Sequence, residues 1–306
     1  MSIIVCKIPV AGLGNQLFPL MKAVVKQQLT GIPLVVTNYR QLVLGPYLRR
    51  EKSKRRYTGY FKFEKSLFSA WVDAAKLRFY RRYLILNEPP LEKTTENLAA
   101  KYMYVYKELP HWSDYFFELR DYRDIVVASF NTILAPQILQ IADTKQAPCI
   151  GVHIRMGDFR KLETGEDFEK SGTVRTPEEY FIRMITAVRE IAGKNLPVTV
   201  FTDGYRQEFN ELFDLPAVTM MEGNADIVDL IVLSRSRIII TSATSTFSYW
   251  AGFLSEAVLI MHPDHIHQPI RKAEFNRTWF EGALVTGKPD DLLVKNIKEI
   301  DFEKNL

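Results

Sequence analysis

The stretch GVHIRMGDF, residues 151–159, is the pattern around which the second half of this 306-residue chain is built. Its first residues are apolar, which predicts the end of a buried strand that opens into a polar loop. In an extended strand, His153 and Arg155 lie on the same face. This pair suits an anionic ligand, because a guanidinium presents donors that match phosphate oxygens. A structural ion pair between Arg155 and Asp158 fits the same residues, so both interpretations stay open at this point.

The residues from Ile150 onward alternate between strand and helix patterns. Strands are predicted at 150–155, 198–202, 218–221, 238–241 and 258–261, and helices at 177–192, 207–213, 226–234 and 247–255. Thr176 is the expected N-cap of the first of these helices. Such alternation predicts a parallel sheet with helices on both faces, whose ligands bind at the carboxyl ends of the strands. The polar positions expected at those ends are His153, Arg155, Asp158, Asp203 and residues 242–245.

The first half begins with a predicted strand at 3–8, the glycine-rich sequence AGLGNQLF at 11–18 and a helix through Leu29. A strand, a glycine-rich turn and a helix often bind anions through backbone N–H groups. A tight turn that only starts the helix is the alternative interpretation. The remaining predictions are a strand at 33–37, a mostly helical region at 41–108 and a helical pair at 115–142.

The length indicates two domains of roughly 150 residues each. Residues 143–148 are mostly polar and end in a proline, which is typical of a connection between domains. We therefore predict an N-terminal domain of residues 1–145 and a C-terminal domain of residues 146–306.

Composition indicates a globular protein, since 47% of the residues are apolar and 25% are charged. Cys6 and Cys149 both stand in apolar, strand-like runs, which favours buried thiols in a reducing compartment over a disulfide framework. The sequence has no run of about eighteen apolar residues, and its N-terminus lacks a signal-peptide pattern. The expected location is the cytoplasm.

Residues 45–85 carry twelve Lys or Arg and three Asp or Glu, a net charge of +9 in a chain whose total is +4. A basic segment of this kind points to an anionic partner, such as a phosphate-bearing substrate or the inner face of an anionic membrane contacted through residues 49–56. An amphipathic helical region with a solvated basic face is the other interpretation. No nucleic-acid motif accompanies the charges, so nucleic acid is not an expected partner.

Four motifs occur in order along the chain: GLGNQLF at 12–18, HIRMGD at 153–158, FTDG at 201–204 and DLIVLSRSRIIITSATSTFSYW at 229–250. Together they resemble the bacterial α-1,2-fucosyltransferases of glycosyltransferase family 11. They are similar, more distantly, to the wider group of α-1,2-, α-1,6- and protein-O-fucosyltransferases. The resemblance covers the N-terminal loop and nearly all of residues 150–252.

The resemblance implies an α/β, GT-B-like fold of two Rossmann-type domains that face a cleft, with the acceptor on the N-terminal side. It also implies GDP-fucose as donor, inversion at the transferred sugar, and no metal or other cofactor. The implied acceptor is the 2-hydroxyl of a terminal galactose on a glycan, and the basic segment makes a lipid-linked glycan one candidate.

Site roles follow from the same resemblance. Arg155 would clamp the diphosphate, and His153 would lie beside the nucleotide. Gly12 and Gly14 would approach the phosphates from the opposite domain, with Asn15 supplying an amide for hydroxyl groups. The other expected donor contacts are Asp203, Asp229 at the guanosine, and Thr244, Ser245, Thr246 and Phe247 in the phosphate and base pocket.

The expected chemistry needs a cation and a base. Negative charge grows on the departing diphosphate, and without a metal the fixed cation Arg155 must offset it. A base must take the proton of the acceptor hydroxyl, and Asp158 and Glu163 are the candidates. Asp158 fits equally well as a structural residue that holds Arg155 or its loop, and an acid elsewhere or a substrate-assisted route is also open. The sequence contains no Asp-x-Asp, in agreement with metal-free transfer.

Two departures from the family pattern bear on the acceptor. Met156 stands where the family often has Arg, and ATSTFSYW at 243–250 differs from the usual run. A different linkage or acceptor on the same scaffold is therefore one alternative, and a non-catalytic GDP-sugar-binding protein is another. The spacing of His262, His265 and His267 resembles that of metal ligands, but no matching Cys or Glu accompanies them, so no metal site is predicted.

Overall fold

The computed structural model describes residues 2–39, 45–48, 54, 57–64, 83–92, 100–163, 165–168, 174–265 and 268–300. The chain divides into two units, one of residues 1–42 with 56–139 and one of residues 43–55 with 140–306. The division at 139/140 lies six residues before the predicted boundary at 145/146. The second unit also takes in the described residues 45–48 and 54, which the sequence placed with the first.

The first unit contains a four-stranded parallel sheet in the order β2-β1-β4-β3. Its strands are β1 (Ile3–Lys7), β2 (Leu34–Thr37), β3 (Leu84–Asn87) and β4 (Tyr102–Tyr106). The helices among the described residues of this half of the chain are α1 (Leu13–Thr30), α2 (Gly45–Leu48), α3 (Arg123–Ile133) and α4 (Pro136–Asp143). Short 3₁₀ turns at Trp112–Asp114 and Arg120–Tyr122 precede α3. The predicted strands, the first helix and the helical pair are confirmed.

The prediction of a mostly helical region at 41–108 is wrong for β3 and β4. Strand β4 has the sequence YMYVY, and four of its five residues are buried. A strand buried on both faces shows no alternation of polar and apolar residues, so its pattern resembles that of a buried helix segment. Much of the rest of the region lies outside the described residues.

Helix α1 is held in place by a lysine that is buried in the first unit. Lys26 is fully buried, and its ammonium donates to the carbonyl oxygens of Pro90 (3.1 Å) and Glu92 (2.8 Å). The same nitrogen lies 5.3 Å from the centre of the Tyr104 ring. A buried ammonium is tolerated only when acceptors replace its water, and here backbone carbonyls do so. The contact fixes the chain that follows β3.

The second unit contains a six-stranded parallel sheet in the order β10-β9-β8-β5-β6-β7. Its strands are β5 (Ile150–Ile154), β6 (Val198–Thr202), β7 (Val218–Met220), β8 (Ile238–Ile240), β9 (Val258–Ile260) and β10 (Glu281–Gly282). Its helices after α4 are α5 (Glu178–Ala192), α6 (Asn210–Asp214), α7 (Asp226–Ser234), α8 (Thr246–Leu254), α9 (Ala273–Asn276) and α10 (Asp291–Glu299). The predicted elements are confirmed, and the two parallel α/β units match the predicted pair of Rossmann-type domains.

Strand β5 lies at the point where the order of the second sheet reverses. From β5 the chain adds β6 and β7 on one side, and it then returns to add β8, β9 and β10 on the other. In open parallel sheets, ligands bind outside the carboxyl ends of the strands at such a reversal. The stretch 151–159 therefore leaves the sheet at the position where a ligand is expected.

Thr176 is not the N-cap that its sequence context predicted. Pro177 occupies the N-cap position of α5 and makes no side-chain capping bond. The Thr176 hydroxyl instead accepts a hydrogen bond from the Ala243 N–H (3.0 Å), in the loop after β8. A tertiary contact has replaced the local one, and it joins the start of α5 to the carboxyl end of the sheet.

A buried ion pair supports the edge of the second sheet. Arg271 is fully buried, and its Nε lies 2.9 Å from Oε2 of Glu281 in β10. Its two other nitrogens donate to the carbonyl oxygens of Ala257 (2.8 Å) and Phe280 (2.9 Å). A buried pair is stable only when its remaining donors are satisfied, and this guanidinium is bound on all sides.

The two cysteines are free thiols. Cys6 is buried in β1, and burial raises its pKa. Cys149, which precedes β5, is partly buried, and burial raises its pKa to about 11 while nearby Arg237 and Arg189 oppose the shift. Among the described residues, no helix is long and apolar enough to cross a membrane.

Gly151→Ala is expected to destabilise the second unit, because an added Cβ would lie 2.3 Å from Ser236 Oγ and 2.7 Å from Leu233 Cδ1. Overpacking of this kind costs roughly 1–3 kcal/mol, which urea unfolding would detect as a lower midpoint.

Gly12→Ala is the matched control for that substitution. A Cβ at Gly12 meets no described atom within 4 Å, and the residue has an ordinary φ of −62°. Its free energy of unfolding should change by about 1 kcal/mol or less, since loss of a favourable N-cap residue to Ala typically costs about 1 kcal/mol and Gly is already a slightly weaker cap. Equal destabilisation by both substitutions would contradict the packing argument.

Candidate functional site

The candidate site begins where β5 and β8 part. Their pairing ends at Val152 opposite Ile240, whereas β5 continues to pair with β6 as far as Ile154. The buried Ser242 bonds to the chain of β5 beyond that point. Its Oγ accepts from the Arg155 N–H (2.9 Å) and donates to the His153 carbonyl (2.8 Å). The Ser242 side chain thus takes the place of the strand-to-strand hydrogen bonds, and a gap forms between β5 and β8 at the carboxyl end of the sheet.

The Arg155 guanidinium is held by two carboxylates. Nη1 donates to Asp203 Oδ2 (2.5 Å), and Nη2 donates to Asp158 Oδ1 (2.7 Å). The guanidinium carbon lies 5.7 Å from the centre of the Phe159 ring. The Arg155 side chain keeps 21% of its surface exposed. The predicted ion pair with Asp158 is therefore present, and the cation still reaches solvent, so the ion pair and an anion site are compatible.

Asp203 does more than the sequence indicated. Its second oxygen accepts a hydrogen bond from the Met156 N–H (2.7 Å), so one carboxylate holds both the side chain of Arg155 and the backbone that follows it. Asp203 stands just after β6, the neighbour of β5. The sequence signal was a Thr-Asp-Gly run at a strand end. This signal predicts where Asp203 lies, but it does not identify its partner Arg155, which is 48 residues away.

Met156 packs against the residue that follows Asp203. Met156 is buried in the core of the second unit. A Cβ added to Gly204 would lie 2.7 Å from Met156 Cγ and 3.0 Å from Glu208 Oε2. Gly204 is thus a glycine because the methionine side chain fills the space beside it.

His153 is an uncharged member of the site. It is only 4% exposed, its ring stacks on that of Phe247 with centroids 4.7 Å apart, and its Nδ1 lies 3.4 Å from Ser245 Oγ. Burial lowers its pKa to about 3, with Asp203 opposing and Arg155 adding to the shift. The imidazole is therefore neutral near pH 7, and of the two residues only Arg155 supplies positive charge.

The loop between β8 and α8 brings the predicted Ser/Thr cluster to the same place. Thr244 has a positive φ of 56°, a strained conformation for a β-branched residue. Its N–H donates to the hydroxyl of the buried Tyr249 (3.0 Å), a contact that the sequence did not suggest. Ser245 is the N-cap of α8, and Thr246 and Phe247 form its first turn. The N-terminus of this helix carries partial positive charge beside His153.

Asp229 lies in the first turn of α7, the helix that follows β7 and packs against α8. It is half-buried and accepts a hydrogen bond from the Asn224 side-chain amide (3.0 Å). Because α7 starts at the carboxyl side of the sheet, Asp229 belongs to the same end of the second unit as Arg155.

The two base candidates have different surroundings. Asp158 is paired with Arg155, as described above. Glu163 is exposed on the following loop, and its backbone N–H donates to Glu166 Oε2 (3.1 Å). Glu166 also forms an ion pair with Arg160, which closes this loop on itself. The Glu163 carboxylate therefore faces solvent.

The remaining predicted donor residues lie in the first unit, at the start of α1. Gly12 is the N-cap, Gly14 is buried and Asn15 is half-buried. The Gln16 amide donates to the carbonyl oxygens of Pro9 (3.3 Å) and Ala11 (3.1 Å), which shapes the glycine-rich turn. Their approach to the phosphates from an opposite domain stays a prediction.

Two other sequence features lie largely outside the site. Within the described part of the chain, no group of three or more His, Cys, Asp or Glu residues is arranged to hold a metal ion. The His262 ring packs against Phe168 and Tyr180. His267 and all of the basic residues 49–56 except Lys54 lie outside the described residues, and Lys54 lies over the Tyr47 ring at 5.5 Å.

Comparison with known proteins gives one family and several similar structures. Residues 9–281 match the family described as glycosyl transferase family 11. No curated protein matches the sequence significantly. The fucosyltransferase NodZ from Bradyrhizobium is 16% identical, with a TM-score of 0.49 over 87% of this chain and 97% of its own.

Two further solved structures are similar at the same level. A mutant of FUT1 from Arabidopsis thaliana in complex with GDP is 13% identical, with a TM-score of 0.46 over 85% of this chain and 70% of its own. POFUT1 in complex with GDP-fucose is 12% identical, with a TM-score of 0.47 over 92% and 97%.

The buried imidazole makes stability depend on pH. In the unfolded chain His153 binds a proton below its ordinary pKa of about 6.5, whereas in the fold its pKa is about 3. Unfolding is therefore favoured as the pH falls through 6.5. Protonation of this histidine in the unfolded chain lowers the free energy of unfolding by about 2 kcal/mol between pH 7 and pH 5. Urea unfolding at the two pH values should show a smaller loss for His153→Gln than for the wild type. An unchanged loss in the variant would contradict a buried neutral histidine.

Proposed function

Because the chain belongs to glycosyl transferase family 11, we propose that it transfers L-fucose from GDP-β-L-fucose to a hydroxyl group of a glycan acceptor. The acceptor group is the 2-hydroxyl of a terminal galactose, and transfer proceeds with inversion and without a metal. The observation that carries this proposal is Arg155, a cation fixed between two carboxylates where the strand order reverses.

Arg155 has the chemistry that the leaving group needs. Cleavage of the bond to the anomeric carbon leaves a sugar with oxocarbenium character and a diphosphate that gains negative charge. A fixed guanidinium stabilises that charge without reorganising as it forms. The partial positive charge at the start of α8, with the hydroxyls of Thr244, Ser245 and Thr246, adds to the field at the same end of the sheet.

The neutral imidazole of His153 and the carboxylate of Asp229 suit the nucleoside part of the donor. The imidazole ring is held by Phe247 and carries no charge, so it offers a neutral donor or acceptor to a ribose or a base. A half-buried carboxylate at Asp229 can accept from the two adjacent N–H groups of guanine. In this proposal Gly12, Gly14 and Asn15 contact the donor from the first unit.

The base that takes the proton from the hydroxyl group of the acceptor sugar is Asp158 or Glu163. Glu163 is exposed and so is open to an incoming sugar hydroxyl. Asp158 is nearer to the cation, but its carboxylate is engaged by Arg155 in this structure. Both stay candidates, because each lies on the loop that leaves β5.

Other linkages and acceptors are the nearest alternatives, since Met156 and the run at 243–250 depart from the family pattern. A non-catalytic GDP-sugar-binding protein is the alternative of a different class. We further propose that the protein acts in the cytoplasm and that its basic segment at 49–56 contacts an anionic membrane or a lipid-linked glycan.

Incubation with GDP-fucose and a panel of galactosides tests the proposal, with product linkage determined by NMR. We expect an α-1,2-fucosylated galactoside, formed at the same rate in excess EDTA. A strict requirement for added Mn²⁺ or Mg²⁺ would contradict the metal-free mechanism. Binding of GDP-fucose without hydrolysis or transfer would favour the non-catalytic alternative.

Arg155→Lys is expected to reduce kcat by roughly 10²–10³-fold, and Arg155→Ala by at least as much. The reason is that an ammonium is a point charge and cannot replace the fork of donors. Initial rates with the best acceptor of the panel measure the effect.

Arg235→Lys is the matched control, because the Arg235 guanidinium likewise donates from both terminal nitrogens, to the Ala142 carbonyl and the Asp143 carboxylate, away from the site. Its activity should match that of the wild type. Near-normal turnover by Arg155→Ala would refute the role of the guanidinium.

A further inference from the structure

Two carboxylates bind the same guanidinium, but their side chains differ in exposure, 15% for Asp203 and 41% for Asp158. Asp203 follows β6, and its side chain is 15% exposed. One of its oxygens holds Arg155 Nη1 (2.5 Å) and the other holds the Met156 N–H (2.7 Å). Displacing Asp203 would therefore break a charged contact and also leave a backbone donor unpaired.

Asp158 lies on the loop, three residues after Arg155. Its side chain is 41% exposed, and one of its oxygens binds Nη2 (2.7 Å). Ion pairs that face solvent have little net stability, because water replaces each partner at small cost. Asp158 is thus the carboxylate that a competing anion displaces more easily.

A bound diphosphate would compete with Asp158 for Nη2 of Arg155. A phosphate oxygen and a carboxylate oxygen accept from a guanidinium with the same geometry. With Nη1 held on the protein side by Asp203, the guanidinium keeps one orientation and presents Nη2 outward. An incoming diphosphate can take that position without any movement of the arginine.

We propose that Asp203 is a positioning residue that holds Arg155 in one orientation, and that Asp158 occupies the place of the donor diphosphate and is displaced when the donor binds. This inference rests on the proposed function, in which Arg155 binds the diphosphate of GDP-fucose. It assigns Asp203 an action through Arg155, in place of the direct donor contact expected from the sequence.

Calorimetric titration with GDP tests the inference, using Asp203→Asn and Asp158→Asn as a matched pair. Each substitution exchanges a carboxylate for an amide of the same shape on the same guanidinium. Asp203→Asn is expected to weaken GDP binding about 10- to 100-fold, because the arginine loses its fixed orientation. Asp158→Asn is expected to tighten GDP binding about two- to fivefold, because the competing charge is gone.

The Arg155→Ala background separates an action through Arg155 from a direct contact. If both carboxylates act on the donor only through the guanidinium, neither amide substitution should change GDP affinity in that background by more than about twofold. A persistent loss from Asp203→Asn would show a direct contact with GDP. The thermal unfolding temperature of each variant is measured in parallel. A purely structural role would lower this temperature together with the affinity for GDP.

Several outcomes would overturn the inference. Weaker GDP binding by both variants would refute the proposal that the donor displaces Asp158 from Arg155, while the proposed function would stand. Failure of the wild type to bind GDP would refute the proposed function and this inference together. If Asp203→Asn folds poorly, Asp158→Asn still tests the displacement of Asp158, because a damaged fold cannot produce tighter binding, and unchanged or weaker GDP binding by that variant would refute the inference.

Discussion

The hydroxyl of Ser242 is the contact on which the arrangement of the second unit depends. Strands β5 and β8 stop pairing after Val152 and Ile240, and two backbone groups of β5 would then lack partners inside the protein. Ser242 satisfies both, since it accepts from Arg155 and donates to His153. The strands can therefore part without leaving these two backbone groups unpaired, which is a condition for opening a parallel sheet at its carboxyl edge.

Arg155 and its two carboxylate partners form a charged cluster at this edge. His153 is neutral because it is buried, so the positive charge of Arg155 is opposed by two carboxylates and the three groups together carry a net charge of −1. Such a set does not attract an anion by its net charge. In the proposed function, its affinity for a diphosphate would therefore come from directed donors, namely the guanidinium and the start of α8. Orientation of these donors matters more here than the number of basic residues.

The sequence predicts the second unit well because its signals are local. Helix α7 begins and ends where the pattern placed it, at 226 and 234, and the strands differ from their predicted bounds by about one residue. Strand β4 was missed because YMYVY is buried almost throughout and shows no alternation. Thr176 was assigned to a local cap because its contact with Ala243, 67 residues away, has no sequence signal.

The same distinction applies to the site. Its position could be predicted, since the strand ends and the motifs identify His153, Arg155 and the run 244–247. The partners could not, because Asp203, Ser242 and Tyr249 act through contacts made only after the strands and helices pack. Residue type and spacing thus indicate which groups are candidates for the chemistry, whereas the packing of neighbouring strands decides which contacts hold each of them.

The packing of Met156 on Gly204 has a consequence for how this site can evolve. The two positions flank the residues that hold the guanidinium, and a side chain at 204 would need the volume that the methionine fills. A side chain at 204 would clash with Met156, and a smaller side chain at 156 would leave a void beside Gly204, so changes at these positions are expected to be inherited as pairs. Natural variation and laboratory libraries should therefore treat 156 and 204 as a single unit of sequence, with Asp203 kept constant between them.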